Sequence, residues 1–246
     1  IVPHGSDELG IAGALQGSPV ELCKAKTVDA YAIANSEWVI EGYCTPDVVW
    51  ECEAAERIGK ERVAPFWPEW FGYVAKATRI PKFQVTAVTH RRDRPIFFTP
   101  LAHSFEHENM AGPLREACFY ELAERLVPGL VQDVNILHGI KVNAGVVYKV
   151  RKRNQADDAF LKNILQAALA VSWSRLVVAV DEDVDIYNAD EVLWAMVLMT
   201  NYDTGLVKAA SGAMGVSVVP VADVSRIKGE GFEIGGLGVD ATRPFG

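Results

Sequence analysis

An uninterrupted apolar run, Leu176-Val177-Val178-Ala179-Val180, limits the fold of this chain more than any other feature. Both faces of such a strand must be buried, which indicates a mostly parallel sheet covered by helices. Residues 157–172 and 190–199 repeat apolar side chains at helical spacing, and further strands are predicted at 142–150 and 216–219. The chain from about residue 130 therefore predicts an α/β layer. The predicted inward helix residues are Phe160, Leu161, Ile164, Leu165, Ala168, Leu169, Val192, Leu193, Met196 and Val197.

The first hundred residues have a different pattern. Residues 19–25, 28–33 and 38–43 form three short runs of strand-like composition. Several short strands with brief connections indicate an antiparallel sheet or barrel. Residues 47–62 are rich in charge and predict a helical or looped insertion with a solvated face. The predicted fold class is therefore mixed, with a β-rich first part and an α/β second part.

A hairpin and a helix are predicted between these two parts. Residues 83–89 and 95–99 predict two strands joined by the charged turn 90–94. That turn is basic, but a solubilising surface role is preferred to anion binding. A helix over 106–127 is predicted from one stripe, and it stops at Pro128-Gly129. The stripe consists of Met110, Leu114, Cys118, Leu122 and Leu126.

Composition excludes several classes of partner. The 246 residues carry a net charge of −8, whereas nucleic-acid binding requires a basic face. No apolar run approaches the roughly 20 residues that cross a bilayer, so no membrane span is expected. Four cysteines without a CxxC pair indicate reduced thiols and a cytoplasmic protein, and the absence of an initial methionine leads us to expect a segment before Ile1. The cysteines are Cys23, Cys44, Cys52 and Cys118.

Three motifs suggest chemistry that their spacing does not support. His103 and His107 are four residues apart, but the order is not HExxH, and a helix start is preferred to a metal site. Residues 181–185 contain four acids without the glycine and distal glutamate of a calcium loop, which favours turn formation and capping. Residues 235–238 are glycine-rich but open no helix, so they predict no nucleotide loop.

A proline-aromatic stretch at residues 63–73 contains five aromatic residues, two prolines and one acid, Glu69. Two interpretations follow from composition. The stretch is either a packed corner whose glutamate faces water, or an apolar loop that raises the pKa of Glu69 and prepares it to donate a proton. Composition alone favours the first.

A short helix at the start of the chain carries a second acid of interest. Ser6 or Asp7 is its predicted N-cap, Gly17 ends it, and Glu8 lies in its first turn. A glutamate there gains from the helix dipole, and position alone favours this role. The alternative is a ligand for a metal or cofactor.

Several stretches taken together resemble the carboxyl-terminal half of the UbiD family, decarboxylases that use prenylated flavin mononucleotide (prenylated FMN). They occur in family order over nearly the whole chain. The resemblance implies the second half of a flavin-binding split β-barrel followed by an α/β oligomerisation domain. The matching stretches are residues 8–17, 39–43, 64–66, 69–73, 85–91, 178–187, 192–195 and 238–242.

The resemblance implies roles for both acids. Glu8 matches the glutamate that binds a divalent metal, Mn²⁺ or Mg²⁺, bridging to the flavin phosphate, and K⁺ is a further candidate ion. Carboxylate oxygen suits such hard cations. Glu69 matches the acid that exchanges a proton with the substrate carbon after carbon dioxide leaves. The family's arginine partner and the other metal ligands are expected before Ile1, so this chain alone should not turn over.

The resemblance also implies a substrate pocket. Phe66, Trp67, Trp70 and Phe71 would form a dry wall around Glu69, and Leu193 and Met196 match the family's pocket-facing helix. The loop departs from the family pattern, because Val63 stands where a glutamate is usual and Trp67-Pro68 lengthens it. We therefore expect an aromatic or heteroaromatic carboxylic acid, an aryl-CoA acid, or an aryl compound carboxylated in reverse.

The predicted organisation has three parts: residues 1–105 in the split barrel, 106–129 as a connecting helix, and 130–246 as the oligomerisation domain. The expected partners are the amino-terminal half before Ile1 and further copies of the chain. Two alternatives differ in class. One is a non-catalytic assembly subunit that lost the chemistry, and the other is a flavin-binding module.

Overall fold

The computed structural model of the chain describes residues 5–50, 79–97, 105–137, 145–170, 174–212 and 234–246. These residues divide into two units, with the division between residues 97 and 105. The predicted strand at 216–219 lies outside the described residues. Within the described part, no helix is both long and apolar enough to cross a bilayer.

The first unit begins with helix α1, Glu8–Gln16, which has the predicted limits. The Asp7 side chain caps it by accepting a hydrogen bond from the Leu9 amide, and Gly17 ends it with a left-handed φ of 74°. Two short strands, β1 (Leu22–Lys24) and β2 (Tyr31–Ile33), follow as an antiparallel pair.

A long two-stranded antiparallel ribbon makes up the rest of the first unit. It consists of β3 (Trp38–Trp50) and β4 (Arg79–His90), which pair from Trp38 opposite His90 to Trp50 opposite Arg79. The prediction that residues 83–89 pair with 95–99 was wrong, because β4 pairs with β3 and residues 91–97 form no strand. The predicted start of the insertion was also wrong, since β3 continues through residues 47–50.

The second unit is a five-stranded sheet with helices on both faces. Its strands are β5 (Val131–Ile136), β6 (Gly145–Val150), β7 (Leu176–Asp181), β8 (Leu206–Gly212) and β9 (Ile234–Ala241). Their order is β5-β6-β7-β9-β8, and β6, β7 and β9 are parallel. The helices are α2 (Phe105–Leu126), α3 (Ala156–Ala170) and α4 (Ala189–Leu198). The mixed fold class is thus confirmed.

Strand β7 joins two separate cores, as its apolar run predicts. Val177 and Ala179 face a core formed with α2 and α3, and Val178 and Val180 face a second core formed with α4. Glycine in β9 leaves room for α3, because a Cβ at position 238 would lie 3.1 Å from Cβ of Leu165 in α3. The glycine-rich segment 235–238 therefore allows α3 to pack closely on the sheet.

Three predicted helix faces were partly wrong. In α2, Met110, Leu114 and Leu126 are exposed, and Phe119 and Ala123 are the buried apolar residues. The helix packs into the core of the second unit through these two side chains. In α3 Phe160 is exposed, and in α4 Leu193 and Val197 are exposed. The residues that face inward as predicted are Leu161, Ile164, Leu165, Ala168, Leu169 and Val192.

Candidate active site

Glu8 lies at the first position of α1 and its side chain is exposed. In the described parts of the chain, no hydrogen bond or ion pair engages its carboxylate, so its oxygens can accept a ligand. The same parts contain no group of three or more His, Cys, Asp or Glu side chains arranged to hold a metal ion. Glu8 can therefore supply one hard oxygen ligand, and any further ligands must come from elsewhere.

A cleft of about 540 Å³ runs beside α1. Two glycines open it: a Cβ at position 10 would lie 2.9 Å from Oδ2 of Asp7, and one at position 13 would lie 3.2 Å from the Ser18 carbonyl oxygen. The helix face is thus smooth and close to the following segment. The apolar residues that line the cleft are Leu9, Ala14, Pro19, Val20 and Leu22.

The first unit contains one buried carboxylate that the sequence analysis missed, that of Glu41. It accepts hydrogen bonds from the amides of Lys26 and Thr27, at 2.7–3.0 Å, and from Oγ1 of Thr27. The Lys26 amide and then the Thr27 hydroxyl lower the pKa of Glu41, so the side chain is ionised at neutral pH. The available signal was an acid inside an apolar strand, between Ile40 and Gly42.

The basic turn after β4 is tied to the ribbon. The Arg91 guanidinium lies 2.8 Å from the Glu37 carboxylate, which also accepts a hydrogen bond from the Ile96 amide at 3.1 Å. The Arg91 side chain and then the Ile96 amide lower the pKa of Glu37. Trp38 Nε1 donates to the Ile96 carbonyl at 3.1 Å. Arg91 therefore ties the turn to the ribbon, a structural role that neither the solubility nor the anion-binding interpretation of this turn predicted.

The proline-aromatic stretch, with Glu69, Phe66, Trp67 and Trp70, lies outside the described residues. The two predicted pocket residues that are described both belong to α4 in the second unit. Leu193 is 56% exposed, and Met196 is half-buried against the second core. Leu193 is thus an exposed apolar residue on the surface of α4.

The acidic run at 181–185 is paired with arginines. Arg243 lies 2.9 Å from Asp181 and 2.7 Å from Asp183, and Arg151 pairs with Glu182. The Val184 amide donates to the Asp181 carbonyl, as in a tight turn. The N-cap of α4 is Asn188, which lies outside the run. The predicted turn is therefore present, and the acids hold β7 to the end of β9.

Two family models match this chain. The 3-octaprenyl-4-hydroxybenzoate carboxy-lyase Rift-related domain of UbiD matches residues 1–103. The carboxy-lyase C-terminal domain, UbiD_C, matches residues 108–230.

Individual relatives share the same two parts. The chain is 33% identical over 247 residues to a gallate decarboxylase of Lactiplantibacillus plantarum, covering 99% of this chain and 49% of that protein. The apo 3,4-dihydroxybenzoic acid decarboxylase AroY of Klebsiella pneumoniae has a TM-score of 0.77 at 32% identity, over 99% of this chain and 49% of its own. An evolved dimeric HmfF of Pelotomaculum thermopropionicum in complex with prFMN has a TM-score of 0.72 at 29% identity, over 98% and 47%. The chain spans about half the length of the relatives it matches.

Proposed function

The chain belongs to the UbiD family of carboxy-lyases, and we propose that it forms half of a reversible decarboxylase for an aromatic or heteroaromatic carboxylic acid. The observation that carries the proposal is the continuous similarity to gallate decarboxylase and to AroY over 99% of the chain, at 33% and 32% identity. Both relatives are named for aromatic acids with ring hydroxyls. The substrate class proposed here is accordingly aromatic, and aryl-CoA acids are included.

The proposed cofactor is prenylated FMN with a divalent metal, Mn²⁺ or Mg²⁺, and K⁺ as a further ion. Support for the flavin comes from the HmfF neighbour, which was solved with prFMN. Glu8 fits the metal role as one ligand, because its exposed carboxylate lacks a partner in the described residues and offers the hard oxygen that these cations prefer. The remaining ligands would come from residues before Ile1.

Glu69 is the proposed acid. Bound prenylated flavin supplies the electron sink that decarboxylation requires. In the direction of decarboxylation, the bond between the ring carbon and the carboxylate breaks, carbon dioxide leaves, and Glu69 delivers a proton to that carbon. Phe66, Trp67 and Trp70 would exclude water, and a dry setting raises the pKa of a carboxyl group toward the range a proton donor needs.

Two residues of α4 are proposed to contact the substrate. Leu193 is the contact residue, because its side chain is 56% exposed although the helix itself is well anchored through Val192 and Ala195. Met196, half-buried beside it, would support that contact. An exposed leucine on a fixed helix is suited to contact an apolar ring.

The proposed partners are the amino-terminal half before Ile1 and a second copy of the chain. The half-length match to the relatives supports the first, and the dimeric HmfF supports the second. The proposed compartment is the cytoplasm, since Cys23 and Cys44 are free thiols. Light scattering of the full-length protein would measure the assembly.

The decisive experiment uses the full-length protein made with a source of prenylated flavin. Exchange of labelled carbon dioxide into 3,4-dihydroxybenzoate and gallate is measured for the wild type, Glu69→Gln and the matched control Glu21→Gln, an exposed residue of the first unit. We expect at least a hundredfold loss for Glu69→Gln, the scale of a general acid, and no change for the control. Unchanged exchange in Glu69→Gln would remove Glu69 from the mechanism.

The metal role has a separate readout. Metal content after dialysis should fall in Glu8→Ala and stay at the wild-type level in Glu21→Ala. Retained metal in Glu8→Ala would contradict the assignment. The alternative of a non-catalytic assembly subunit predicts a folded oligomer with no exchange for any aromatic acid, and a flavin-binding module predicts a flavin spectrum without exchange.

A further inference from the structure

A second cleft, of about 240 Å³, lies entirely within the second unit. It sits where β6 and β9 end, beside the first turns of α3 and the turn that leads into β8. None of its residues belongs to the proposed decarboxylase site. The residues that line it are Lys152, Asp158, Lys162, Met199, Asn201, Thr204, Gly205, Asp240, Thr242 and Pro244.

The position of this cleft is the one where open α/β sheets bind ligands. β6 and β9 are both parallel to β7, and their carboxyl ends lie at the same edge of the sheet. Ligands of such sheets bind outside the carboxyl ends of the strands. Neither Glu8 nor the proposed pocket residues Leu193 and Met196 line this cleft.

One wall of the cleft is a buried ion pair. The Lys152 side chain is only 6% exposed, and its ammonium lies 2.6 Å from Oδ1 of Asp158. It also donates to the Arg243 carbonyl at 2.6 Å, and the Phe245 amide donates to the Asp158 carboxylate at 3.2 Å. These bonds hold the Lys152 and Asp158 side chains in place, and the two charges neutralise each other.

Two further charges of opposite sign line the same cleft without such pairing. In the described parts of the chain, Lys162 has no acidic partner within 4.0 Å, and Asp240 has no basic partner within that distance. The Asp240 carboxylate accepts only from the amide and hydroxyl of Thr242. Lys162 and Asp240 are therefore two lining residues of opposite charge that form no ion pair with each other.

The neighbouring turn cannot easily collapse into the space. A Cβ at Gly205 would lie 2.7 Å from the Asn201 carbonyl oxygen and 3.0 Å from that of Asp240. The turn is thus held tightly by glycine against β9, and the Gly205 amide donates to Asn201 at 2.6 Å. The two unpaired charges are consequently displayed on a fixed frame.

We propose that this cleft binds a small zwitterion, an amino acid with one ammonium and one carboxylate group. Its carboxylate meets Lys162 and its ammonium meets Asp240. A simple anion would face the Asp240 carboxylate and a simple cation would face the Lys162 ammonium, so a ligand with both charges is complementary. The volume of about 240 Å³ is below the roughly 300–1,000 Å³ of drug-sized sites, which restricts the ligand to a few heavy atoms.

The test measures binding to the full-length protein by isothermal titration calorimetry. The zwitterionic probes are L-alanine, β-alanine and 4-aminobutyrate. Acetate, which has only the carboxylate, and ethylamine, which has only the ammonium, are the controls. We expect saturable binding of at least one zwitterion and no binding of either control. Lys162→Met should weaken that binding at least tenfold. Lys208→Met, which removes the same charge from an exposed position on β8, should leave it unchanged.

A second variant distinguishes loss of a binding charge from loss of folding. Asp240→Asn keeps the shape of the side chain and should also weaken zwitterion binding at least tenfold, with an unchanged circular dichroism spectrum. Three outcomes would overturn the proposal: no saturation with any zwitterion, equal binding of acetate alone, or equal losses in Lys162→Met and Lys208→Met.

Discussion

The two units bury their apolar side chains very differently. Every buried apolar side chain of the described residues lies between Phe119 and Ala241, in the second unit. In the first unit the cross-strand pair Ile40 and Val88 is 60% and 53% exposed, and the ribbon shows further exposed apolar residues along both strands. Hydrophobic burial therefore stabilises the second unit and does little for the described part of the first.

The first unit is held instead by the β3–β4 backbone ladder and by hydrogen bonds that backbone amides donate to carboxylates. Glu41 binds the amides of Lys26 and Thr27, Glu37 binds that of Ile96, and Asp7 binds that of Leu9. Such bonds fix local geometry but cover little apolar surface. The proposed amino-terminal half before Ile1 is one candidate to cover the exposed apolar residues of the ribbon.

The largest expected effect tests the contrast directly. Leu165→Ala in the second unit removes a side chain with 0% exposure and should lower the free energy of unfolding by about 2–5 kcal/mol. Ile40→Ala should change it by only about 0.5 kcal/mol in this chain, because the side chain is already in water. Urea unfolding followed by circular dichroism measures both.

Leu165→Ala and Ile40→Ala should also be compared in the full-length protein. If the amino-terminal half covers the ribbon, the cost of Ile40→Ala should rise toward that of a buried residue. Equal costs for the two variants in the chain alone would show that the contrast between the units is wrong.

Replacing a glycine by alanine should lower the stability of the first unit at Gly42 and raise that of the second unit at Gly112. A Cβ at Gly42, in β3, would lie 2.1 Å from the Gln84 carbonyl oxygen of the paired strand, and backbone cannot give way cheaply. Gly42→Ala should therefore destabilise the ribbon by about 1–3 kcal/mol or more. Gly112→Ala, inside α2, meets nothing nearer than 4.0 Å and should stabilise by about 0.5–1 kcal/mol. Thermal unfolding of both variants checks the signs.

Acid should loosen the first unit through Glu41. The folded-state pKa of Glu41 is lowered from its usual value near 4.5. The ionised side chain thus stabilises above about pH 4.5, and this contribution is lost as the pH falls through the lowered pKa. In Glu41→Gln, the Lys26 and Thr27 amides should exchange hydrogen faster at neutral pH and show less further loss of protection in acid.

Asp157 in the second unit provides the matched comparison. Its pKa is lowered by the Arg153 side chain, and it accepts from the Arg153 amide at 2.8 Å. Asp157→Asn should speed hydrogen exchange at the Arg153 amide and leave hydrogen exchange at the Lys26 and Thr27 amides unchanged. If both variants released the same amides, the local roles assigned to the two acids would be wrong.

The sequence analysis was correct where neighbouring residues determine the structure. Asp7 and Gly17 fixed the limits of α1, and the apolar run fixed β7 and its two covered faces. The errors concern distant partners. β4 pairs with β3, from which it is separated by residues 51–78, whereas the nearest strand-like run was residues 95–99. β3 also contains Pro46, and it passes this residue with a register shift between Cys44 and Val48, where a proline is tolerated.

The helix face of α2 was missed for a geometric reason. A strict four-residue repeat advances about 40° beyond each turn of 3.6 residues, so five such positions cannot share one face. The buried positions 112, 115, 119 and 123 mix steps of three and four. For the candidate site, cap chemistry located Glu8 on its helix, and only the family resemblance assigned it a metal. Glu69 stays a prediction, since it lies outside the described residues.

The smallest expected effect concerns surface charge in the first unit. Lys24 and Asp29 lie 3.3 Å apart, but their side chains are 66% and 96% exposed, and water screens such a pair. Asp29→Asn should therefore unfold like the wild type. Glu37→Gln makes the same charge change at a side chain that binds both Arg91 and the Ile96 amide, so it should lower the unfolding midpoint measurably. Equal midpoints for the two variants would mean that the bonds of Glu37 to Arg91 and to the Ile96 amide do not stabilise this unit.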